Sequence, residues 1–282
     1  MTAVRVSPSW LALRERADAA ARAVSLVDQL RRELTADRPL LVYDLACGTG
    51  SMLRWLAPQL PGPQHWICYD VDPDLLTIAA LDADRRASDG SAVTVEVRNR
   101  DVTRLERDEC EGAALITTSA LLDLLTADEL DRIVGTCVGA RCPALLTLSV
   151  TGRVELWPPH PLDAAVGAAF NAHQQRTVGG RRLLGPQAAD AVVDAFREAG
   201  HEVLLRATPW RLDTGTRELT TGWFTGWLTA ACEQDPALIA QTRDYAQQRL
   251  GDAEAGRLRV LVHHRDVLAW PAAPAAPAHG VR

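Results

Sequence analysis

Five residues carry the first chemical signal in this chain. Asp44, Ala46, Gly48 and Gly50 close an apolar run that starts at Leu40, and Asp70 closes a second apolar run over residues 66–69. An apolar run ending in an acid and two glycines reads as a buried strand entering a tight turn that opens a helix. Glycine in such a turn removes the Cβ that would hold a ligand away from the backbone. An acid at the tip of the second strand is placed to accept hydrogen bonds from ribose hydroxyls. The chemistry implied is the holding of a nucleoside-containing cofactor over the carboxyl ends of a parallel sheet.

The details of the loop choose among nucleosides. A dinucleotide loop wants G-x-G-x-x-G, with the third glycine packing helix on strand and the helix N-terminus facing a pyrophosphate. Leu53 stands where that third glycine should be. The pattern present is D-x-A-x-G-x-G. It resembles motif I of the class I S-adenosylmethionine (SAM)-dependent methyltransferases, [D/E]-x-G-x-G-x-G, with Ala46 in place of the first glycine. The resemblance covers roughly residues 35–270. It implies that Asp44 supports the loop and the methionine amino group, with Ala46, Cys47, Gly48 and Gly50 passing backbone beside the carboxypropyl chain. It implies further that Asp70 holds the ribose hydroxyls and that Val71 lies against the adenine. Asp101 then accepts from the adenine amino group, and the Val102 N–H meets a ring nitrogen. Thr118 and Ser119 match the end of the fourth strand, where methyl group and substrate meet. Arg22 is expected at the SAM carboxylate if the first helix folds over the site, as is Arg14, although pairing of both with Asp18 is an equal alternative.

The elements that must position these residues follow an alternating plan. Residues 9–36 read as one amphipathic helix, and strands are expected at 40–46, 65–70, 92–98, 113–118 and 144–150. Asp72-Pro73 and Thr126 with Glu129 announce helix starts between them. Insertions are expected at about 152–184 and 215–255, with strands at 201–207 and 258–268. Alternation of this kind predicts an α/β fold, a doubly wound and mostly parallel seven-stranded sheet with helical insertions forming a lid. The division is an N-terminal helical segment (1–37), a SAM-binding domain (38–270) and a Pro/Ala-rich tail (271–282) expected to be disordered.

Methyl transfer from a sulfonium needs a base only when the acceptor is a hydroxyl or a protonated amine. His173, in the first insertion, and Glu155, after strand five, are the candidate catalytic residues. A solvated helix histidine and a surface carboxylate are their bland alternatives. Asn171, Arg181, Trp157, Trp210 and Trp223 are the candidate substrate contacts, the tryptophans as walls of an aromatic-friendly pocket. His263 and His264 are neighbours in a strand and are expected to point to opposite faces, which argues against a shared metal site.

Composition excludes several classes. The formal charge is −6, against a dedicated nucleic-acid surface. Lysine is absent, so all 30 basic residues are arginine and neither Schiff-base nor P-loop lysine chemistry is available. A Lys-free, Ala/Arg-rich chain suggests a GC-rich bacterial source. The 6 cysteines form no C-x-x-C pair, which points to reduced core thiols rather than zinc. Residues 1–16 carry scattered charge and are not expected to be a signal peptide, and no run spans a membrane. The expectation is a cytoplasmic SAM-dependent methyltransferase that modifies an O or N atom of a small molecule, with a homodimer left open. The alternatives are an NAD(P)-dependent oxidoreductase and a non-catalytic SAM-binding module, with RNA methylation a minor option.

Overall fold

The N-terminal segment folds as two helices rather than one. The computed structural model describes residues 6–34, 38–81 and 85–272. Helix α1 (Pro8–Ala21) starts on a Ser7 cap with proline in its first turn, and α2 (Val24–Glu33) follows after a break at Arg22 and Ala23. The break has a physical cause. The Ala23 N–H, which would serve a continuous helix, instead donates to Asp266 Oδ2 at 2.9 Å, and Arg22 adopts an extended ψ of 139°.

Strands β1 (Leu40–Leu45), β2 (Gln64–Asp70), β3 (Val93–Asn99), β4 (Leu115–Ser119) and β5 (Ala144–Trp157) are mutually parallel. Between them run α3 (Ser51–Leu56), α4 (Pro73–Ala80) and α5 (Ala127–Ala140). The expected Thr126–Glu129 capping box starts α5. Then come α6 (Asp163–Gln174), the short hairpin β6 (Thr177–Val178) and β7 (Arg181–Arg182), and α7 (Ala188–Glu198). The chain continues through β8 (His201–Ala207), β9 (Trp210–Leu212), α8 (Arg217–Gln234), α9 (Leu238–Gln241), α10 (Arg243–Glu254) and β10 (Arg259–Pro271). The main sheet runs β3-β2-β1-β4-β5-β10-β8, with β10 antiparallel to both neighbours. The order reverses between β1 and β4, the crevice where open α/β sheets bind ligands.

Both sheet faces are buried, which accounts for the near-continuous apolar runs of β1 and β4. Tyr43, Leu45 and Ile67 pack with α5 and α7, and Val42, Trp66 and Cys68 pack with α2, α3 and α4. Strands β5 and β10 are longer than the sequence suggests, at 14 and 13 residues. Their extra halves rise past the sheet, pair with each other and carry β9. There the insertions form a third core around Trp210, Trp223, Phe224, Trp227 and Tyr245. The tail from residue 273 and the connection at 35–37 lie outside the described residues.

Asp266, only 1% exposed, holds these parts together. Its carboxylate accepts from the N–H groups of Ala23 (2.9 Å) and Leu148 (2.8 Å) and from the Thr208 hydroxyl (2.9 Å). Asp266→Ala leaves three buried donors without an acceptor, each costing about 1–3 kcal/mol. The expected loss is about 3 kcal/mol or more in urea unfolding; a loss within experimental error would show that the three donors find other partners.

Candidate active site

The turn after β1 shows why its sequence is as it is. Ala46, Gly48 and Gly50 all have left-handed backbone, with φ of 54°, 55° and 83°. Glycine suits each, and Ala46, the departure from the methyltransferase pattern, holds the same conformation at a strain cost of about 1–2 kcal/mol. The turn is pinned to the end of β2. Cys47 N donates to the Tyr69 carbonyl at 2.9 Å, and Gly48 N donates to Asp70 Oδ2 at 2.8 Å. Asp70 Oδ1 accepts from Asp72 N at 2.9 Å. Each Asp70 oxygen therefore accepts one backbone N–H and keeps a lone pair for a further donor.

Asp44 lies deeper, 1% exposed. Its Oδ1 accepts from Thr117 Oγ1 at 2.8 Å, and its Oδ2 has no partner. Burial pushes the Asp44 carboxyl up to about 7, against the smaller opposing effects of Thr117 and Arg22. Burial also raises Asp70.

A cavity of about 840 Å³ opens over these groups. Among its lining residues are Asp44, Ala46, Cys47, Gly48, Asp70, Val71, Asp101, Val102 and Ser119. Val71 is 47% exposed, an uncovered apolar surface beside the Asp70 carboxylate. The cavity continues past the end of β4 to the insertions, where Asn171, Arg181, Trp210 and Trp223 join the wall with Asp123, Gln174, His263 and His264. Helix α1 roofs it with Trp10, Leu11, Arg14 and Asp18. That roof is docked at several points. Glu15 takes Arg54, which also donates to the Thr49 carbonyl at 2.6 Å. Trp10 packs on Gly222 of α8, where an added Cβ would stand 3.3 Å from its ring.

Several expected site residues lie elsewhere. His173 sits on another face of α6, its ring nitrogens engaged with Glu233 (3.2 Å) and Arg176 (3.0 Å), and it does not line the cavity. Burial and the Arg176 charge lower its basicity. Glu155 is not itself part of the cavity lining and is engaged by two residues that are, His263 at 2.8 Å and Arg153 at 2.7 Å. Trp157 is 44% exposed at the far end of β5, beside a separate shallow depression. Gly50 and Thr118 support from behind: an added Cβ on Gly50 would meet Ala79 of α4 at 3.4 Å, and the Thr118 hydroxyl donates to the Leu45 carbonyl at 2.8 Å. Arg22 lies under the floor rather than in it, 3% exposed, donating to Ser51 Oγ (3.1 Å) and Ser119 Oγ (3.0 Å). Arg14 pairs with Asp18 as the alternative reading had it.

His263 and His264 both touch the cavity, but they keep the expected alternation: His264 is buried against Trp210 in line with Val260 and Val262, whereas His263 turns to Glu155 in line with Leu261. No group of three or more potential metal ligands occurs among the described residues. Sequence reasoning passed over Asp123. Burial pushes this cavity carboxyl up to about 6, and the signal available was an acid set among leucines at 121–125.

Residues 42–140 match the family model of a methyltransferase domain. Over this stretch the chain is similar to a methyltransferase domain, and its fold is that of the class I SAM-dependent methyltransferases. The sheet order, with its one antiparallel long strand next to the edge, is the fold of that class. No curated protein matches the chain in sequence. A SAM-dependent methyltransferase from Methanosarcina mazei superposes with a TM-score of 0.50 at 10% identity, covering 88% of this chain and 98% of that one. The YcgJ protein of Bacillus subtilis gives 0.49 at 10% identity, with 89% and 100% covered. A cyclopropane synthase of Mycobacterium tuberculosis gives 0.46 at 13% identity, with 87% and 83% covered. At these identities the likeness is one of fold.

SAM is the methyl donor of this class, and the cavity fits it. The cofactor brings an ammonium, a sulfonium, a ribose diol and a flat adenine. Asp44 Oδ2 is an unpartnered buried acceptor for a cation, Asp70 retains lone pairs for a diol, and Val71 offers an uncovered apolar face to a ring.

Because the Asp44 pKa in the fold is raised above its ordinary 3.8 to about 7, the fold is more stable with Asp44 protonated. That contribution is complete below about 4 and lost as pH rises through about 7. Compared with Asp44→Asn, the wild-type chain should lose about 2 kcal/mol between about pH 5 and about pH 8. Urea unfolding of both proteins at the two pH values checks this, and a constant difference would show that Asp44 stays ionised.

Proposed function

We propose that this protein transfers the SAM methyl group to an O or N atom of a small molecule by in-line displacement. One observation carries the reading: the cavity over Asp44, Asp70 and the glycine turn is continuous with a chamber walled by the insertions. At about 840 Å³ it lies toward the upper end of ligand pockets, about 300–1,000 Å³. Such a space suits a cofactor with a modest second molecule end to end, and it does not suit a nucleic-acid chain.

In this reading the residues of the chain mostly position and exclude. The cofactor supplies an activated carbon when bound. Asp44 faces the positive end of the cofactor, Asp70 and Val71 orient the nucleoside, and Asp101 and Val102 meet the adenine edge. Holding acceptor and methyl at ~3–3.5 Å can then supply much of the rate. Helix α1 closes the roof and keeps water out, which strengthens every charge interaction inside. Leu53, 0% exposed, fills the space of the third dinucleotide glycine and argues against a pyrophosphate. No helix among the described residues is long and apolar enough to cross a membrane. The six cysteines are free thiols, in keeping with the cytoplasm as the place of action.

The test is calorimetry with SAM, S-adenosylhomocysteine and NAD on the wild-type chain and Asp70→Asn. Binding of the SAM pair should weaken at least about tenfold in the variant, the size of a lost charged hydrogen bond. Tight NAD binding without a response to SAM would overturn the reading.

A further inference from the structure

The far chamber of the cavity has a consistent chemistry of its own. Each arginine that lines the cavity is engaged by a carboxylate. Arg14 pairs with Asp18, Arg100 with Glu109, Arg153 with Glu155 and Arg181 with Glu129. Three of these pairs are two-point contacts of the guanidinium fork: Arg14 at 2.9 and 3.3 Å, Arg100 at 2.6 and 3.0 Å, and Arg181 at 2.8 and 2.6 Å. Asp123, by contrast, makes no ion pair among the described residues; its one side-chain hydrogen bond comes from Gln174 Nε2 at 3.4 Å, and the Arg14 charge, already paired with Asp18, acts on it from farther off.

That contact, and the 2.8 Å bond from Asn171 Nδ2 to the Gly152 carbonyl, fix which way both amides point. Each amide uses its nitrogen and leaves its oxygen, buried and without a partner. His264, 4% exposed, has an unpartnered Nδ1, and burial pushes it down to about 3, so the ring adds no positive charge to the chamber. Phe170 and Trp223 complete the wall with apolar surface. A chamber rich in acceptors and poor in unpaired donors suits a ligand that brings N–H groups and positive charge.

We propose that this chamber takes a small organic amine, its N–H groups held by the Asp123 carboxylate and the Gln174 and Asn171 oxygens, its apolar body against Phe170 and Trp223. The inference rests on the reading of the cofactor end given above. It narrows the acceptor from any O or N atom to an amine, which gives up one proton to the Asp123 carboxylate. The lone pair so freed forms the new N–C bond as the C–S bond of SAM breaks and S-adenosylhomocysteine leaves. The gain comes from both partners. A bound ammonium satisfies buried acceptors that otherwise cost free energy, and the aromatic wall adds a cation–π contribution.

The test uses the full chain saturated with S-adenosylhomocysteine at about pH 8, where such amines are cations and carboxylates ionised. Three probes of matched size are titrated by calorimetry: 2-phenylethylamine, 2-phenylethanol and phenylacetate. The amine should bind at least about tenfold more tightly than the acid or the alcohol. Asp123→Asn should remove most of that preference while S-adenosylhomocysteine affinity stays within about twofold, which also shows that the variant is folded. Equal or tighter binding of phenylacetate, no measurable binding of the amine, or an unchanged preference in the variant would each overturn the proposal. The wild-type preference stands as a test by itself if the variant does not fold. Failure of the wild-type chain to bind S-adenosylhomocysteine would sink the cofactor reading instead.

Discussion

A single buried carboxylate joins everything this fold needs for a closed site. Asp266 sits on the antiparallel strand β10 and receives hydrogen bonds from the break between α1 and α2, from β5 and from the segment leading to β9. Burying such a charge is costly unless its lone pairs are filled, and here three donors fill them. The geometry of the donors thereby becomes obligatory. The chain must break at Ala23, so α1 turns back across the sheet as a roof instead of continuing α2 down its side. Arg22, forced into the interior by the same break, donates to serines from α3 and β4 and lies over the ring of Trp55. Its charge favours the ionised forms of Asp266 and Asp44 from below the cavity floor, against the burial that raises both.

The two ends of the cavity differ in how they were legible. At the cofactor end the information is local. Asp44, Gly48 and Asp70 are each placed by a strand end and a turn whose residues adjoin them in sequence, so spacing alone brought them together. Even the departure at Ala46 is explained by one backbone angle. The helix capping of α4 and α5, and the parallel strands between which those helices run, belong to the same local grammar of caps, periods and alternation.

At the far end the information is distributed over the tertiary structure. Whether a residue on α6 faces inward depends on how α6 docks on α8, which no spacing rule states. Asn171 and His173 are two positions apart, and docking put one over Gly152 and the other beside Glu233. His263 and His264 keep the alternation of their strand, one beside Glu155 and the other beside Trp210, but the long β5–β10 pairing that carries them to the cavity follows from no spacing rule. Trp157 is expected as a wall residue on its ring alone, but β5 runs on past its apolar run to include it and carries the ring out to solvent.

Strain marks the floor of the cavity as the part the rest of the fold supports. Among the described residues only four non-glycine positions have positive φ, and three of them, Ala46, Ala120 and Leu148, line the cavity. Such conformations cost about 1–3 kcal/mol each and persist only where the surroundings impose them. The imposing contacts are identifiable. Ala120 N donates to the Thr147 carbonyl at 2.9 Å, and Leu148 N donates to Asp266 Oδ1 at 2.8 Å. These bonds bend the chain at the ends of β4 and within β5, where an extended backbone would carry Ser119 and Leu148 onward along the strand direction. The sheet edges and insertion core supply stability well away from this floor. Asp44, Asn171 and Gln174 add unpartnered buried oxygens to the same cavity as these three strained residues. Strain and open acceptors that meet in one cavity pre-organise it, and binding relieves what folding left open there.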